Sequence, residues 1–215
     1  SCIVILGIGI LMVSCKKKEQ DLSNLEETIF VKTNGAEMPA YVRGNGSSDV
    51  FVIIIHGGPG GNGYEYRFGE YSTFLEDKYA MVYWDQRGQG MSTGNYKGKD
   101  LTIDQMVNDL RDLILVVKEH YGKEIDIFLM GHSWGGTLGT AFMVKEDYQN
   151  LVTGWIEADG AHDIPKLNVE AVKMFRTIGQ QQINLGHSVE KWQEIVDFAN
   201  NVDTNNITIE DGGSI

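Results

Sequence analysis

One serine stands out by its neighbours. Gly131-His132-Ser133-Trp134-Gly135-Gly136 sets a hydroxyl between glycines two positions away on either side. A largely apolar run, Ile125–Met130, precedes it, and a helix-forming run, Thr137–Val144, follows. A strand that turns sharply into a helix at G-x-S-x-G holds its serine on a strained bend, with Oγ presented above the sheet. Such a hydroxyl is suited to nucleophilic attack on an acyl carbon. The N–H of Trp134 would face the oxygen of the tetrahedral intermediate, over the positive end of the helix dipole. A bare G-x-S-x-G arises easily in a chain with 26 glycines, so the flanking strand and helix carry this reading.

Two further segments have the composition of a site. His56-Gly57-Gly58-Pro59-Gly60-Gly61 follows the run Val50–Ile55. Glycines let a backbone approach a ligand closely, and one fixed N–H here supplies a second oxyanion donor. Gly58 is the first choice for it and Gly57 the second. A phosphate cradle is the competing use of such a loop, but neither G-x-x-x-x-G-K-[ST] nor G-x-G-x-x-G is present. His56 is read as a brace of the loop rather than as a base. Asp85-Gln86-Arg87-Gly88-Gln89-Gly90-Met91-Ser92 follows the run Tyr79–Trp84. It is expected to be a turn held by a pair between Asp85 and Arg87 and by backbone bonds.

These segments need a scaffold that aligns them. Val50–Ile55 is continuously apolar and rich in β-branched residues, the pattern of a strand buried on both faces. Tyr79–Trp84, Ile125–Met130 and Val152–Ala158 repeat it, and Thr28–Thr33 with Met38–Arg43 form a hairpin around Asn34-Gly35. Ile103–His120 carries Met106, Leu110, Leu113, Ile114 and Val117 on one helical face, with a capping box from Thr102 to Gln105 and Gly122 at its end. Alternating strands and helices predict an α/β fold with a mostly parallel central sheet. Ligands of such sheets sit at the carboxyl ends of the strands, where all three segments lie. After Pro165 the pattern changes. Val169, Val172, Phe175 and Ile178, then Trp192, Ile195, Val196 and Ala199 behind a Ser188 cap, form two helices with no strand between them. They read as the start of a lid.

Composition narrows the function classes. Of 215 residues, 42% are hydrophobic and 22% charged, as in an ordinary globular domain. A formal net charge of −12 disfavours nucleic acid as a partner. The two cysteines, Cys2 and Cys15, both precede Lys16, so the later chain has no disulfide, no thiol nucleophile and no thiolate zinc site. Ile3–Val13 is too short to span a bilayer and fits the core of a signal peptide. It runs into Met12-Val13-Ser14-Cys15 and then three lysines, a pattern that resembles a bacterial lipobox with Cys15 as the lipidated residue. The expected organisation is a lipoprotein-type signal segment over 1–15, a tether over 16–27, a core over 28–164 and a helical cap over 165–215. The expected location is a bacterial membrane, the outer one because no Asp follows Cys15.

Together, His56–Gly61, Asp85–Ser92 and Gly131–Gly136 resemble, in order and spacing, the proline iminopeptidase branch of the α/β-hydrolases. The resemblance spans Thr28 to Asp163. It implies an α/β-hydrolase fold, a Ser–His–Asp triad, no metal or other cofactor, a helical cap, and a peptide or small-molecule substrate. Members of that branch release N-terminal residues from peptides, and relatives with the same motifs hydrolyse esters, lactones or amides. His132 and Gly136 stand where the peptidases often carry Gly and Ser, which keeps an ester or lactone substrate as the alternative. A lipid-anchored binding protein that has lost catalysis is the alternative from another class. In this fold the acid and histidine follow the serine on strands after the cap, so the chain is expected to be a fragment that ends before them. The alternative within the chain is Asp159 or Asp163 as acid and His162 as base, all just after Val152–Ala158. His187 and His120 are read as helix-end residues.

Overall fold

The computed structural model describes residues 21–214. The expected signal segment with Cys15 and the first residues of the expected tether lie outside these. Leu25, Glu26 and Glu27, placed in the tether by sequence, belong to the first strand.

Strands β1 (Leu25–Thr33) and β2 (Ala36–Gly44) form an antiparallel hairpin whose turn is Asn34-Gly35. Both turn residues have positive φ, 45° and 77°, as a two-residue hairpin requires. Then come β3 (Val50–Ile55), α1 (Glu70–Glu76), β4 (Ala80–Trp84) and the short β5 (Thr93–Gly94). After these run α2 (Ile103–Tyr121), β6 (Asp126–His132), α3 (Trp134–Met143) and β7 (Gly154–Ala158). The sheet order is β1-β2-β4-β3-β6-β7, with β5 on β2. It is parallel from β4 through β3 and β6 to β7, and antiparallel at β2 with its neighbours.

The continuous apolar run of β3 is explained by burial on both faces. Phe51, Ile53 and Ile55 pack with Leu110, Leu113, Ile114, Leu138 and Phe142 from α2 and α3. Ile54 packs on the opposite face with Met81 and Tyr83, under Tyr64, Tyr66 and Leu75. Helix α2 starts at Thr102, whose side chain accepts the N–H of Gln105. Only this half of the expected capping box forms, because the Gln105 amide reaches along the helix to Asp109 instead.

After β7 the chain makes a helical hairpin of α4 (Ile164–Asn184) and α5 (Val189–Asn201), followed by α6 (Ile209–Ser214). Val172, Ala199 and Val202 form its own small core with Phe175, Phe198 and Ile207. Arg176 fastens it by donating to the carbonyls of Ala199 and Val202. Ser188 precedes α5 in a left-handed conformation (φ 44°, ψ 47°), and its side chain makes no capping bond. Its carbonyl accepts the N–H of Trp192.

Candidate active site

Strand β6 delivers Ser133. The residue sits between the strand and α3 at φ 54°, ψ −119°, a backbone that favours glycine and costs about 1–3 kcal/mol for other residues. Its neighbours hold the bend: Ser133 N–H donates to Ala158 O at 3.2 Å, and Ser133 O accepts from Gly136 N–H at 2.9 Å and Ala161 N–H at 3.3 Å. The flanking glycines are required by contact. A Cβ on Gly135 would overlap Ile55 O, and one on Gly131 would overlap Gly135 O. Gly136, one of the two positions at which the resemblance to the peptidases departs, is explained in the same way. A Cβ there would lie 2.5 Å from Gly160 Cα, so α3 packs against the loop after β7 too closely for serine.

Strand β3 delivers the second loop to the same place. A Cβ built on Gly57 would lie 3.3 Å from Ser133 Cβ. The two candidate glycines now separate. Gly57 N–H is taken by Tyr66 Oη at 2.9 Å, whereas Gly58 adopts φ 133° in the adjoining turn. Gly57 N–H is therefore engaged in this conformation, and Gly58, the first choice by sequence, lies next to it.

His56 is buried and braces the loop, as its position predicts. Its Nε2 accepts Gln86 N–H at 3.3 Å, which leaves the proton on Nδ1 to donate to Gly57 O at 2.8 Å. Burial holds its pKa below the usual imidazole value. The expected Asp85–Arg87 pair does not form. The buried Asp85 carboxylate accepts Gly63 N–H and Met91 N–H, each at 2.8 Å. Arg87 turns the other way and pairs bidentately with Asp109 of α2, 2.7 Å to each oxygen, with both side chains fully buried. Two residues apart in a turn, Asp85 and Arg87 point to different sides, and backbone donors meet the carboxylate first.

Sequence reasoning missed the glutamines of this loop. Gln86 accepts from Trp134 Nε1 at 3.0 Å and donates to His56 O at 2.9 Å, and Gln89 Oε1 accepts Gly60 N–H at 2.6 Å. The loop after β4 thus fastens both the glycine loop and the elbow, the turn from β6 through Ser133 into α3. A sequence signal existed, since a side-chain amide in a glycine-containing loop carries both donors and an acceptor for backbone groups.

The segment after β7 lies beside Ser133, bonded to its backbone through Ala158 O and Ala161 N–H, and two of its three candidate residues, His162 and Asp163, have other partners. His162 Nε2 takes Glu157 Oε1 at 2.6 Å as its partner in place of either aspartate. The other Glu157 oxygen accepts from Thr140, farther along α3. Asp163 caps α4 by accepting Lys166 N–H at 3.1 Å, and Asp159 holds a positive φ of 54°. His120 pairs with Glu27 at the end of α2, and His187 bonds Gln182 between α4 and α5. Among the described residues no three His, Cys, Asp or Glu cluster closely enough to hold a metal ion.

A family model described as serine aminopeptidase, S33, matches residues 46–207, which include the glycine loop, the elbow and the helical hairpin. The chain belongs to this family. It is therefore an α/β-hydrolase. The proline iminopeptidase of Thermoplasma volcanium is 31% identical over 149 residues, 69% of this chain and 46% of that one. Epoxide hydrolase 1 of Caenorhabditis elegans is 30% identical over 156 residues, 71% of this chain and 36% of that one. The proline iminopeptidase-related protein of Thermus thermophilus superposes with a TM-score of 0.56 at 26% identity, over 69% of this chain and 50% of that one. The chain thus spans half or less of the length of these relatives.

Proposed function

We propose that the protein is a serine hydrolase that forms an acyl-enzyme on Ser133, and that its substrates are peptides with a free N-terminal residue such as proline. The observation that carries this reading is the Ser133 backbone, held at φ 54° between β6 and α3 beside the glycine loop. Ser133 Oγ attacks the acyl carbon while the N–H groups of Trp134 and Gly58 hold the oxyanion. The acyl–nitrogen or acyl–oxygen bond breaks so that the amine or alcohol leaves with the serine proton, and water then cleaves the acyl-serine ester, releasing the acid and restoring the hydroxyl. The base and the acid are assigned to the part of the relatives' length that this chain does not span. The Glu157–His162 pair, turned toward α3, supports that assignment.

The epoxide hydrolase among the relatives raises a second substrate class. Opening an epoxide with a serine hydroxyl would leave an ether, which water does not cleave, so Ser133 favours acyl substrates. Esters and lactones remain the second reading, because the same acyl-enzyme serves both.

A fluorophosphonate probe tests the mechanism. The intact protein should be labelled at Ser133, and Ser133→Ala should abolish labelling. Labelling that survives would place the nucleophile elsewhere. Comparing a proline anilide with an activated ester then separates the two substrate classes.

We also infer that Cys15 carries lipid and anchors the protein to a bacterial outer membrane, a reading supported by the lipobox-like Met12–Cys15. Cys15→Ala should move the protein from the membrane to the soluble fraction, and unchanged fractionation would refute the anchor.

A further inference from the structure

Tyr66 has no part in the mechanism above, yet it stands inside the site. The helical turn Tyr64–Arg67 presents it, and that turn is fixed where Arg67 bonds both Glu76 oxygens, at 3.0 and 3.2 Å. Tyr71 Oη holds the Tyr66 carbonyl at 3.2 Å. The Tyr66 hydroxyl accepts Gly57 N–H at 2.9 Å and lies 2.7 Å from His132 Nδ1. A point one bond out from Gly57 Cα is 3.2 Å from Tyr66 Oη, 3.2 Å from His132 Nδ1 and 3.3 Å from Ser133 Cβ. Phenol, imidazole and serine therefore border one small volume, open to solvent on the His132 side.

We propose that the Tyr66 hydroxyl is a third hydrogen-bond donor to the substrate carbonyl oxygen, oriented by Gly57 N–H and His132 Nδ1; this rests on Ser133 being the nucleophile. A phenol oxygen has one O–H and two acceptor sites. Gly57 N–H fills one acceptor site. When His132 carries its proton on Nδ1, that N–H fills the other, and the phenol O–H has no acceptor among the described residues. It is then free for the oxygen of the acyl group. Two donors on one oxygen also polarise its O–H and strengthen it as a donor. The N–H that Tyr66 takes from Gly57 is in this way passed on, one bond farther into the site. His132, exposed beside the nucleophile, is the positioning residue of this arrangement.

The test compares the intact protein with Tyr66→Phe, which keeps the ring. The expected result is a kcat lower by about 10², the loss seen for a single oxyanion donor, with KM changed less than about twofold. A trifluoromethyl ketone, whose hemiketal oxygen mimics the oxyanion, should lose affinity by the same factor. A tyrosine with a structural role would alter KM and melting temperature together instead. Fluorotyrosine at position 66 keeps fold and hydroxyl while making the phenol more acidic, and should tighten the ketone. Unchanged kcat and ketone affinity in Tyr66→Phe, with Ser133 still labelled by fluorophosphonate, would overturn the proposal. Absence of labelling in the parent would instead bring down the Ser133 reading and this one with it.

Discussion

The indole N–H of Trp134 donates to Gln86 Oε1 at 3.0 Å, so the first residue of the elbow helix is tied to the loop after β4. The same Gln86 amide holds His56 O, at the root of the glycine loop. One buried side chain thus sets the distance between the two backbone segments assigned to the oxyanion. Gln86→Ala leaves both partners unsatisfied and should cost about 1–3 kcal/mol. Loosening the two donors should lower kcat by on the order of tenfold to a hundredfold. Denaturant unfolding and ester hydrolysis measured on one preparation check both parts, and unchanged kcat would refute the bracing role.

On the proposed mechanism, Ser133 sets stability against chemistry. Its backbone at φ 54°, ψ −119° suits glycine, so Ser133→Gly should raise the unfolding free energy by about 1 kcal/mol while abolishing probe labelling. Ser133→Ala, which keeps the strain, should lower kcat by on the order of 10⁶ without that gain. Urea midpoints of the three proteins decide whether the elbow stores strain.

The Arg87–Asp109 pair is fully buried. Asp109→Ala strands the guanidinium and should cost about 3–5 kcal/mol. Replacing both, as Arg87→Met with Asp109→Leu, should recover much of the loss because no charge is left buried. A double mutant no more stable than Asp109→Ala would show that the backbone bonds of Arg87 to Thr33 O and Asn34 O carry the effect.

His56 makes stability depend on pH. Burial depresses its pKa in the folded state, so the unfolded chain binds the proton more readily. Its contribution is therefore complete above the ordinary imidazole value, about 6.5, and is lost as pH falls below it toward the folded-state value. His56→Gln should flatten that part of the stability–pH curve, measured as urea midpoints between about pH 5 and 8. An identical slope in the variant would place the titration on another group.

Much of this protein was determined by local sequence. The apolar length of β3, the Asn34-Gly35 turn, the Thr102 start of α2 and the strand–serine–helix order around Ser133 are all set within a few residues, because backbone conformation responds to near neighbours. The two helices after Pro165 were legible for the same reason. Side-chain partners were not. Arg87 chose Asp109, 22 positions away, over Asp85 at two, and Tyr66 reached His132 across 66 positions. His162 took Glu157 rather than an aspartate beside it. Such choices depend on which groups the sheet brings within hydrogen-bond distance and which it buries. Periodicity reports that a face is apolar, but only packing decides which polar group is enclosed with it and must be satisfied there. The elbow was therefore readable from Gly131–Gly136, while its surroundings, Tyr66, Gln86 and Glu157, came only with the tertiary structure.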